Sequence, residues 1–191
     1  GLGDVYKRQG SASAGIGSGW DSTFSGGTIT IKDNSKVTAI GSNGFSQNTS
    51  CSNPAIGASE KANPGYNPAK APMNGTITIT DNAQVKIGSD TKFGTSRTPL
   101  IGEASSEPTG TGKIEISGNA AVSNIDGSSD IAIGGGTASS TIDISIGANT
   151  NINGTKGSDI LDGKSSNVKL NTVKTPTLGP ESAPAVEPVA S

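Results

Sequence analysis

The stretch that decides the fold runs from residue 27 to residue 41 and reads GTITIKDNSKVTAIG. Its isoleucines alternate with threonines, the period of two that predicts a β-strand with one apolar and one polar face. Related stretches recur along the chain as GTITITDNAQVKIG at 75–88, GKIEISGNAAVSNI at 112–125 and STIDISIGANTNI at 140–152. This recurrence predicts a repeat protein in which each copy contributes a strand, a turn and a second strand.

The spacing within the first three copies distinguishes one rigid corner from two variable ones. The valine of the second strand always lies six residues after the second isoleucine of the first strand. A short apolar element ending in glycine precedes each copy. From its isoleucine to the first isoleucine of the following strand the distances are 13, 21, 13 and 9 residues. One tight corner and two corners that admit loops predict a three-sided coil.

Equivalent residues of successive copies are expected to stack in columns inside such a coil. One rung cannot bury its own isoleucines, whereas strands about 4.8 Å apart bury them against one another. Each fully buried isoleucine contributes roughly 1.5–3 kcal/mol. The expected columns are Ile29, Ile77, Ile114 and Ile142, with Ile31, Ile79, Ile116 and Ile144 beside them; Ile16, Ile56, Ile101, Ile133 and Ile160; and Val37, Val85 and Val122.

The constant corner carries an asparagine at its centre, at Asn34, Asn82 and Asn119. Asparagine tolerates the left-handed backbone region, and stacked amides can bond from rung to rung. The fourth copy, read as Gly147-Ala148-Asn149, departs from this pattern. A degenerate fifth copy is expected from DILDG at 159–163 followed by NVKL at 167–170. The predicted fold is therefore all-β: a right-handed parallel β-helix of four to five irregular, three-sided rungs.

Composition narrows the function classes. The net charge is −2, which favours no polyanionic partner such as nucleic acid. Aromatic residues make up 3% of the chain, so the core must be built from small β-branched side chains. Cys51 is the single cysteine and histidine is absent, so no internal disulfide can form and a structural zinc site is disfavoured. The sequence contains no apolar run long enough to cross a bilayer.

Both ends differ from the repeats. Residues 1–9, GLGDVYKRQ, resemble a translated adapter used to prepare sequencing libraries, so we expect an artefact there and a missing natural start. The predicted β-helix domain spans 10–173. Residues 174–191 are rich in Pro, Ala and Ser and predict a disordered linker or tail.

The combination A-I-G-x-G, then G-T-I-T-I, then V-T-A/K, resembles the β-helix repeats of large secreted proteins from gut and soil Firmicutes. Some of these are labelled carbohydrate-binding-domain proteins, and they are related by fold to the pectate-lyase-like superfamily. The resemblance covers roughly residues 14–152. It implies an extracellular or cell-surface location and a polysaccharide or glycan as partner, with calcium in some members.

Two aromatic residues are the candidate carbohydrate-binding residues, Trp20 and Tyr66. Both fall in the variable segments, where an aromatic ring can stack against a sugar. The alternative is that these rings cover local apolar surface. We therefore expect a non-catalytic module that binds carbohydrate or acts as an adhesin or spacer.

The competing hypothesis is a polysaccharide lyase or glycoside hydrolase, which would act with Asp, Lys, Arg or His clustered on one outer face. Hydrolysis of a glycosidic bond needs an acid and a second carboxylate at a fixed separation. Aligning the copies places Glu115 beside Asp143 in an outward column, with Lys169 at its end. Such a pair could act in hydrolysis or hold Ca²⁺, but a solvated ladder of charges explains the same residues. Residues 154–161 also approximate one calcium-binding nonapeptide, for which a simple turn is the alternative.

Overall fold

The structure, a computed structural model, describes residues 4–8, 14–18, 24–41, 53–59, 72–89, 101–104, 110–125, 130–137 and 139–181. In these ranges the chain forms short strands and one short helix. They are, in chain order, β1 (Asp4–Arg8), β2 (Ile16–Gly17), β3 (Thr28–Ile31), β4 (Lys36–Gly41), β5 (Ile56–Ala58), β6 (Thr76–Ile79), β7 (Gln84–Ser89), β8 (Ile101–Glu103), β9 (Lys113–Ile116), β10 (Ala121–Asn124), β11 (Ile131–Gly134), β12 (Asp143–Ile146), β13 (Asn151–Ile152), β14 (Thr155–Lys156), α1 (Gly157–Leu161), β15 (Val168–Asn171) and β16 (Thr177–Leu178).

The strands form three sheets, and the protein is all-β, as predicted. The first sheet has the order β1-β4-β7-β10-β13-β14, the second β15-β11-β8-β5-β2, and the third β16-β12-β9-β6-β3. Neighbouring strands are parallel except for β13 and β14, which are antiparallel. From β2 to β13 the chain visits the second, third and first sheets in that order, four times over. Each repeat therefore contributes one strand to each sheet.

The third sheet stacks isoleucine on isoleucine along its inner face. Alternation turns one side of each strand inward, and in-register pairing then places like residues side by side. The first column is Ile29, Ile77, Ile114 and Ile144, and the second is Ile31, Ile79, Ile116, Ile146 and Leu178. Ile77, Ile79, Ile114 and Ile116 have no solvent-exposed surface. The predicted aliphatic stack is thus confirmed for the first three copies.

The two other sheets add their own columns to the same core. The second sheet aligns Ile16, Ile56, Ile101, Ile133 and Leu170. The first sheet aligns Val37, Val85, Val122 and Ile152. These are the predicted columns, except that Leu170 takes the fifth place that had been assigned to Ile160.

The fourth copy sits two residues away from its predicted alignment. Ile144 pairs with Ile114, and Ile146 pairs with Ile116, so the expected placement of Ile142 and Ile144 was wrong. Periodicity could not detect this error because a shift of two residues leaves every inward residue inward. In the correct register Ile152 lies six residues after Ile146, so the constant corner is preserved.

That corner is a turn repeated on every rung. A backbone N–H donates to the carbonyl oxygen three residues earlier, from Ser35, Ala83, Ala120 and Thr150 to Lys32, Thr80, Ser117 and Gly147. The left-handed residue precedes the central asparagine: φ is +61° at Asp33, +60° at Asp81 and +65° at Gly118. The expectation that asparagine itself adopts this conformation was wrong.

The asparagines instead form the predicted ladder. The Asn82 amide donates to Asn34 Oδ1 at 3.2 Å, and the Asn119 amide donates to Asn82 Oδ1 at 3.3 Å. In the corrected register Asn149 is the central residue of the fourth corner, between Ala148 and Thr150. An asparagine is therefore central to the turn of all four repeats, and the amide bonds join the first three.

A column of glycines marks the second sheet. Gly17, Gly57, Gly102 and Gly134 lie in register, with φ between +123° and +138°. A Cβ atom on Gly57 would collide with the carbonyl oxygen of Gly102 in the next strand. Glycine is required here both for the backbone conformation and for the close approach of neighbouring strands.

The C-terminal end differs from the predicted fifth copy. Residues 157–161 form helix α1, and Ile160 packs into the core from that helix with 7% of its surface exposed. The NVKL segment supplies β15 to the second sheet, and β16 continues the third sheet beyond the predicted end of the coil at residue 173. Residues 182–191 of the predicted tail lie outside the described residues.

At the other end, Asp4–Arg8 pairs in parallel with β4 and extends the first sheet by one strand. The alternating segment Asp-Val-Tyr-Lys-Arg places Val5 beside Val37. This pairing does not test the predicted origin of residues 1–9.

Candidate functional site

The outer face of the third sheet carries two rows of polar residues. They alternate with the buried isoleucines and therefore point away from the core. One row is Thr28, Thr76, Lys113 and Asp143, and the other is Thr30, Thr78, Glu115, Ser145 and Thr177. Threonines occupy both rows on the first two repeats, Lys113 and Glu115 follow on the third, and Asp143 and a buried serine, Ser145, follow on the fourth.

Glu115 is the more enclosed carboxylate on this face, since 17% of its side chain is exposed. The Lys113 ammonium lies 3.1 Å from Glu115 Oε2. The Ser117 hydroxyl lies 3.5 Å from Glu115 Oε1 and donates a shorter hydrogen bond, 2.9 Å, to Thr80 Oγ1. The Lys113 ammonium is therefore the group that pairs with the Glu115 carboxylate.

Asp143 does not lie beside Glu115, contrary to the prediction. The two-residue correction of the fourth copy places Asp143 next to Lys113 and places Ser145 next to Glu115. Asp143 also forms an ion pair with Lys174, whose Nζ lies 2.8 Å from Asp143 Oδ1. Each carboxylate is thus paired with a lysine, and the two carboxylates are not the direct neighbours that the hydrolase hypothesis assumed.

Lys169, the proposed end of the same outward column, belongs to another sheet. It lies in β15 and is in register with Ala132 of the second sheet. Thr177 takes the position beside Ser145 in the third sheet.

The candidate carbohydrate-binding residues Trp20 and Tyr66 lie outside the described residues. The strands that flank them are described. Trp20 falls between β2 and β3, and Tyr66 falls between β5 and β6. Because β2 neighbours β5 and β3 neighbours β6, both residues belong to the same kind of connection, from the second sheet to the third, in successive repeats.

Phe24, another aromatic residue of the variable segments, packs against the core. It forms an isolated parallel bridge with Met73 and is partly buried. Its ring lies over Gly27 and Gly75, the residues just before β3 and β6. A Cβ atom on either glycine would approach ring carbons, at 2.9 and 2.8 Å. At this position the ring covers apolar surface.

Sequence reasoning missed one buried carboxylate. Glu103 at the end of β8 has no exposed surface, and the Met73 N–H donates to its Oε2 at 3.2 Å. The only signal in the sequence was the element LIGEA, which has Glu103 after its glycine. The preceding repeat has Ala58 at the same position. Glu103 thus lies where the chain leaves the second sheet for the third.

The segment that approximates a calcium-binding nonapeptide forms a hairpin and a helix. Asn153 and Gly154, with φ of +50° and +83°, connect β13 to antiparallel β14, and α1 follows at once. Just after α1, the Asp162 carboxylate accepts a hydrogen bond from Lys164 at 2.9 Å. This hydrogen bond and the negative charge of Asp162 raise the pKa of Lys164 above its ordinary value.

Among the described residues, no group of three or more His, Cys, Asp or Glu side chains is arranged to hold a metal ion. The part of the chain that the structure describes also contains no helix with the length and apolarity to cross a membrane.

Comparison with known proteins returned no match to any family model, to any curated protein or to any solved structure.

Proposed function

We propose that this chain is a right-handed parallel β-helix that serves as a non-catalytic surface module of a secreted or cell-wall-associated bacterial protein. In this role it binds a polysaccharide or glycan, or acts as an adhesin or spacer. Right-handedness is supported by the general preference of crossovers between parallel strands. The chain passes through three sheets of mainly parallel strands in the same order on four successive repeats, and this supports a β-helix.

The observation that carries the proposal is that one corner of the coil is constant while the other two vary in length. The corner from the third sheet to the first keeps one turn on all four repeats, and an asparagine ladder joins the first three of them. The connections of the other two corners vary in length among repeats. A rigid scaffold that presents variable connections at its other two corners is a usual arrangement of a binding surface.

Trp20 and Tyr66 support carbohydrate as the ligand. They belong to equivalent connections of neighbouring repeats, whose flanking strands are paired with each other. Aromatic rings suit sugars because the ring face packs against the apolar face of the pyranose. Two rings on adjacent repeats would engage a chain of sugars instead of a single one.

Catalysis is less well supported. A hydrolase needs an acid and a second carboxylate that face one substrate. On the outer face of the third sheet, Glu115 is paired with Lys113, and Asp143 is paired with Lys174. The two carboxylates are also not direct neighbours in the sheet, since Asp143 lies in register with Lys113.

Retention on immobilised polysaccharides tests the proposal. Retention on polygalacturonate and on neutral plant and host glycans is measured for three proteins: the full chain, the double variant Trp20→Ala/Tyr66→Ala and the control Phe45→Ala/Phe93→Ala. The control changes aromatic residues in connections from the first sheet to the second. We expect retention by the full chain and the control, and loss in the first double variant.

The same samples are assayed for cleavage products. Retention by no glycan would rule out carbohydrate binding. Equal retention by all three proteins would remove Trp20 and Tyr66 from the site. Cleavage that Glu115→Gln and Asp143→Asn abolish would establish the lyase or hydrolase instead.

A further inference from the structure

The outer face of the first sheet carries three exposed lysines, on β4, β7 and β14. They are Lys36, Lys86 and Lys156, and in the part of the chain that the structure describes none of them forms an ion pair. Lys36 and Lys86 follow or precede the inward residues Val37 and Val85, so alternation along the strands turns them outward. The face therefore presents positive charge to solvent.

The outer face of the third sheet differs, because its lysine has a carboxylate partner. Lys113 pairs with Glu115 at 3.1 Å, and Asp143 of the same face pairs with Lys174 at 2.8 Å. Together these four side chains carry no net charge. The net charge of −2 is a sum over the whole chain, so it does not reveal that one face is positive while another is balanced.

Four side chains of β4 and β7 form a donor quartet on the outer face of the first sheet. The register places Lys36 beside Gln84 and Thr38 beside Lys86. The two lysines thus occupy one diagonal of the quartet, and the amide and the hydroxyl occupy the other. Adjacent strands lie about 4.8 Å apart, and alternate residues of one strand lie about 6.6 Å apart. At these separations all four side chains can donate hydrogen bonds to one anion.

Polar residues continue from the donor quartet along the coil axis. Gln84 of β7 lies beside Ala121 of β10, Ala121 lies beside Asn151 of β13, and Asn151 lies opposite Lys156 of β14. Lys36 is therefore four strand spacings, or about 19 Å, from Lys156. A linear ligand along this row meets a cation at each end and two amide side chains between them.

We propose that the outer face of the first sheet binds a linear sulfated polysaccharide, which lies along the coil axis and places one sulfate group on the donor quartet. Charge complementarity selects an anion. A sulfate ester presents three terminal oxygens in different directions, so it accepts from both ammonium groups and from Gln84 or Thr38 at once. A carboxylate has two oxygens in one plane, an arrangement that matches the planar fork of arginine more closely.

A glycan suits the rest of this face better than nucleic acid does. The amides of Gln84 and Asn151 and the hydroxyl of Ser123 lie among the cations, where they can bond to sugar hydroxyls. Double-stranded DNA carries a charge about every 1.7 Å of its axis, whereas Lys36 and Lys156 stand about 19 Å apart. Sparse cations separated by neutral hydrogen-bonding groups therefore favour a sparsely charged sugar chain.

Carboxylates lie near one side of the donor quartet. Asp4 of β1 occupies the register position beside Lys36. Asp33 and Asp81 belong to the constant corner, where Asp33 lies 4.0 Å from the Lys32 ammonium and Asp81 Oδ2 accepts from the Asp33 N–H at 3.0 Å. Asp4 is thus the carboxylate in register with the quartet, and its charge opposes the binding of an anion there.

This surface is separate from the connections that carry Trp20 and Tyr66, which run from the second sheet to the third. The inference rests on the proposed function only in that the chain binds glycans. Loss of retention on every glycan would remove both proposals. Retention on neutral glycans without retention on a sulfated one would remove this inference alone.

Binding to chondroitin sulfate and to chemically desulfated chondroitin, both immobilised, tests the inference. The two polymers share their backbone and their carboxylates and differ only in the sulfate groups. We expect the full chain to bind the sulfated polymer about tenfold more tightly or better. Binding should weaken as the salt concentration rises, because exposed charges are screened. Equal binding to the two polymers, or binding to neither, overturns the proposal.

Lys36→Gln/Lys86→Gln removes both ammonium groups of the donor quartet and should weaken binding to chondroitin sulfate about tenfold or more. The matched control Lys164→Gln/Lys169→Gln removes two exposed lysines outside the first sheet and changes the net charge equally. It should bind like the full chain, as should Lys36→Arg/Lys86→Arg, which keeps both charges. Circular dichroism of every variant checks that the fold is retained.

Two further variants change the charge around the quartet in opposite directions. Gln84→Glu puts a carboxylate between the two lysines and should weaken binding, whereas Asp4→Asn should strengthen it. Equal losses in the lysine variant and its matched control would indicate a response to net charge and overturn the proposal. Binding to double-stranded DNA as tight as to chondroitin sulfate at the same salt concentration would indicate a general polyanion site and also overturn it.

Discussion

Asp143 of β12 lies in register with Lys113 of β9, so a carboxylate and an ammonium group occupy neighbouring positions on the outer face of the third sheet. Lys113 also contacts Glu115 at 3.1 Å, and Lys174 contacts Asp143 at 2.8 Å. Opposite charges thus alternate over this part of the face. Each of the two carboxylates on this part of the face is thus paired with a lysine.

The exposed ion pair of Asp143 is expected to contribute little to stability. The Asp143 and Lys174 side chains are 58% and 44% exposed, and such pairs typically contribute about 0.2–1 kcal/mol because water screens them. Asp143→Ala should therefore lower the free energy of unfolding by less than about 1 kcal/mol. Urea denaturation at low and high salt measures it. A larger loss that persists in high salt would contradict this assignment.

Truncation in the middle of the isoleucine column should be far more damaging than truncation at its end. Ile114 is completely buried between neighbouring rungs, whereas Ile29 of the terminal strand is only partly buried. Ile114→Ala should cost about 2–5 kcal/mol, the range for cavities in packed cores. Ile29→Ala serves as the matched control and should cost clearly less in the same urea titration. Equal losses would show that the column is not packed as described.

Any side chain introduced into the glycine column should destabilise the fold. Gly102 has φ of +130°, and a Cβ atom there would collide with the carbonyl oxygen of Gly134. Gly26 has φ of +69°, but a Cβ atom there would have no heavy atom within 4 Å. Gly26→Ala should lose about 1–3 kcal/mol from backbone strain alone, and Gly102→Ala should lose more. Thermal unfolding followed by circular dichroism compares them, and equal melting temperatures would refute the close approach.

The asparagine ladder should show a position effect. Asn82 both donates to Asn34 and accepts from Asn119, while Asn34 participates in only the first of these two bonds. At about 0.5–1.5 kcal/mol per hydrogen bond, Asn82→Ala should be roughly twice as destabilising as Asn34→Ala. Asn82→Asp keeps the acceptor and loses the donor, so it should fall between them. The order is read from urea midpoints, and a larger effect of Asn34→Ala would refute the ladder.

Some features of the fold were predictable because they depend on local pattern. The two-residue alternation in GTITI identifies strands and their inward face whatever the partner strand is. The constant distance from Ile31 to Val37 identifies a corner that no insertion interrupts. Together with the recurring Ile-Gly elements and their variable spacing, these signals predicted a three-sided parallel coil, the valine column and the asparagine contacts from Asn34 to Asn119.

The candidate site was less predictable, since it depends on register. The order of the outward residues in a row is set by pairing between strands, and the fourth copy fits its neighbour equally well by alternation after a shift of two residues. That shift decided whether Asp143 faced Glu115 or Lys113. The burial of Glu103 likewise depends on a connection whose partners are distant in sequence.

The sequence by itself determined the strands, their inward faces and the tight corner, because each follows from side-chain alternation and spacing within a few residues. Only the tertiary structure decided the register of the fourth repeat, the helix α1 that supplies Ile160 to the core, and the exposed position of Leu178. Those features arise where the chain stops repeating, and there the free energy of packing against the preceding layer selects the conformation.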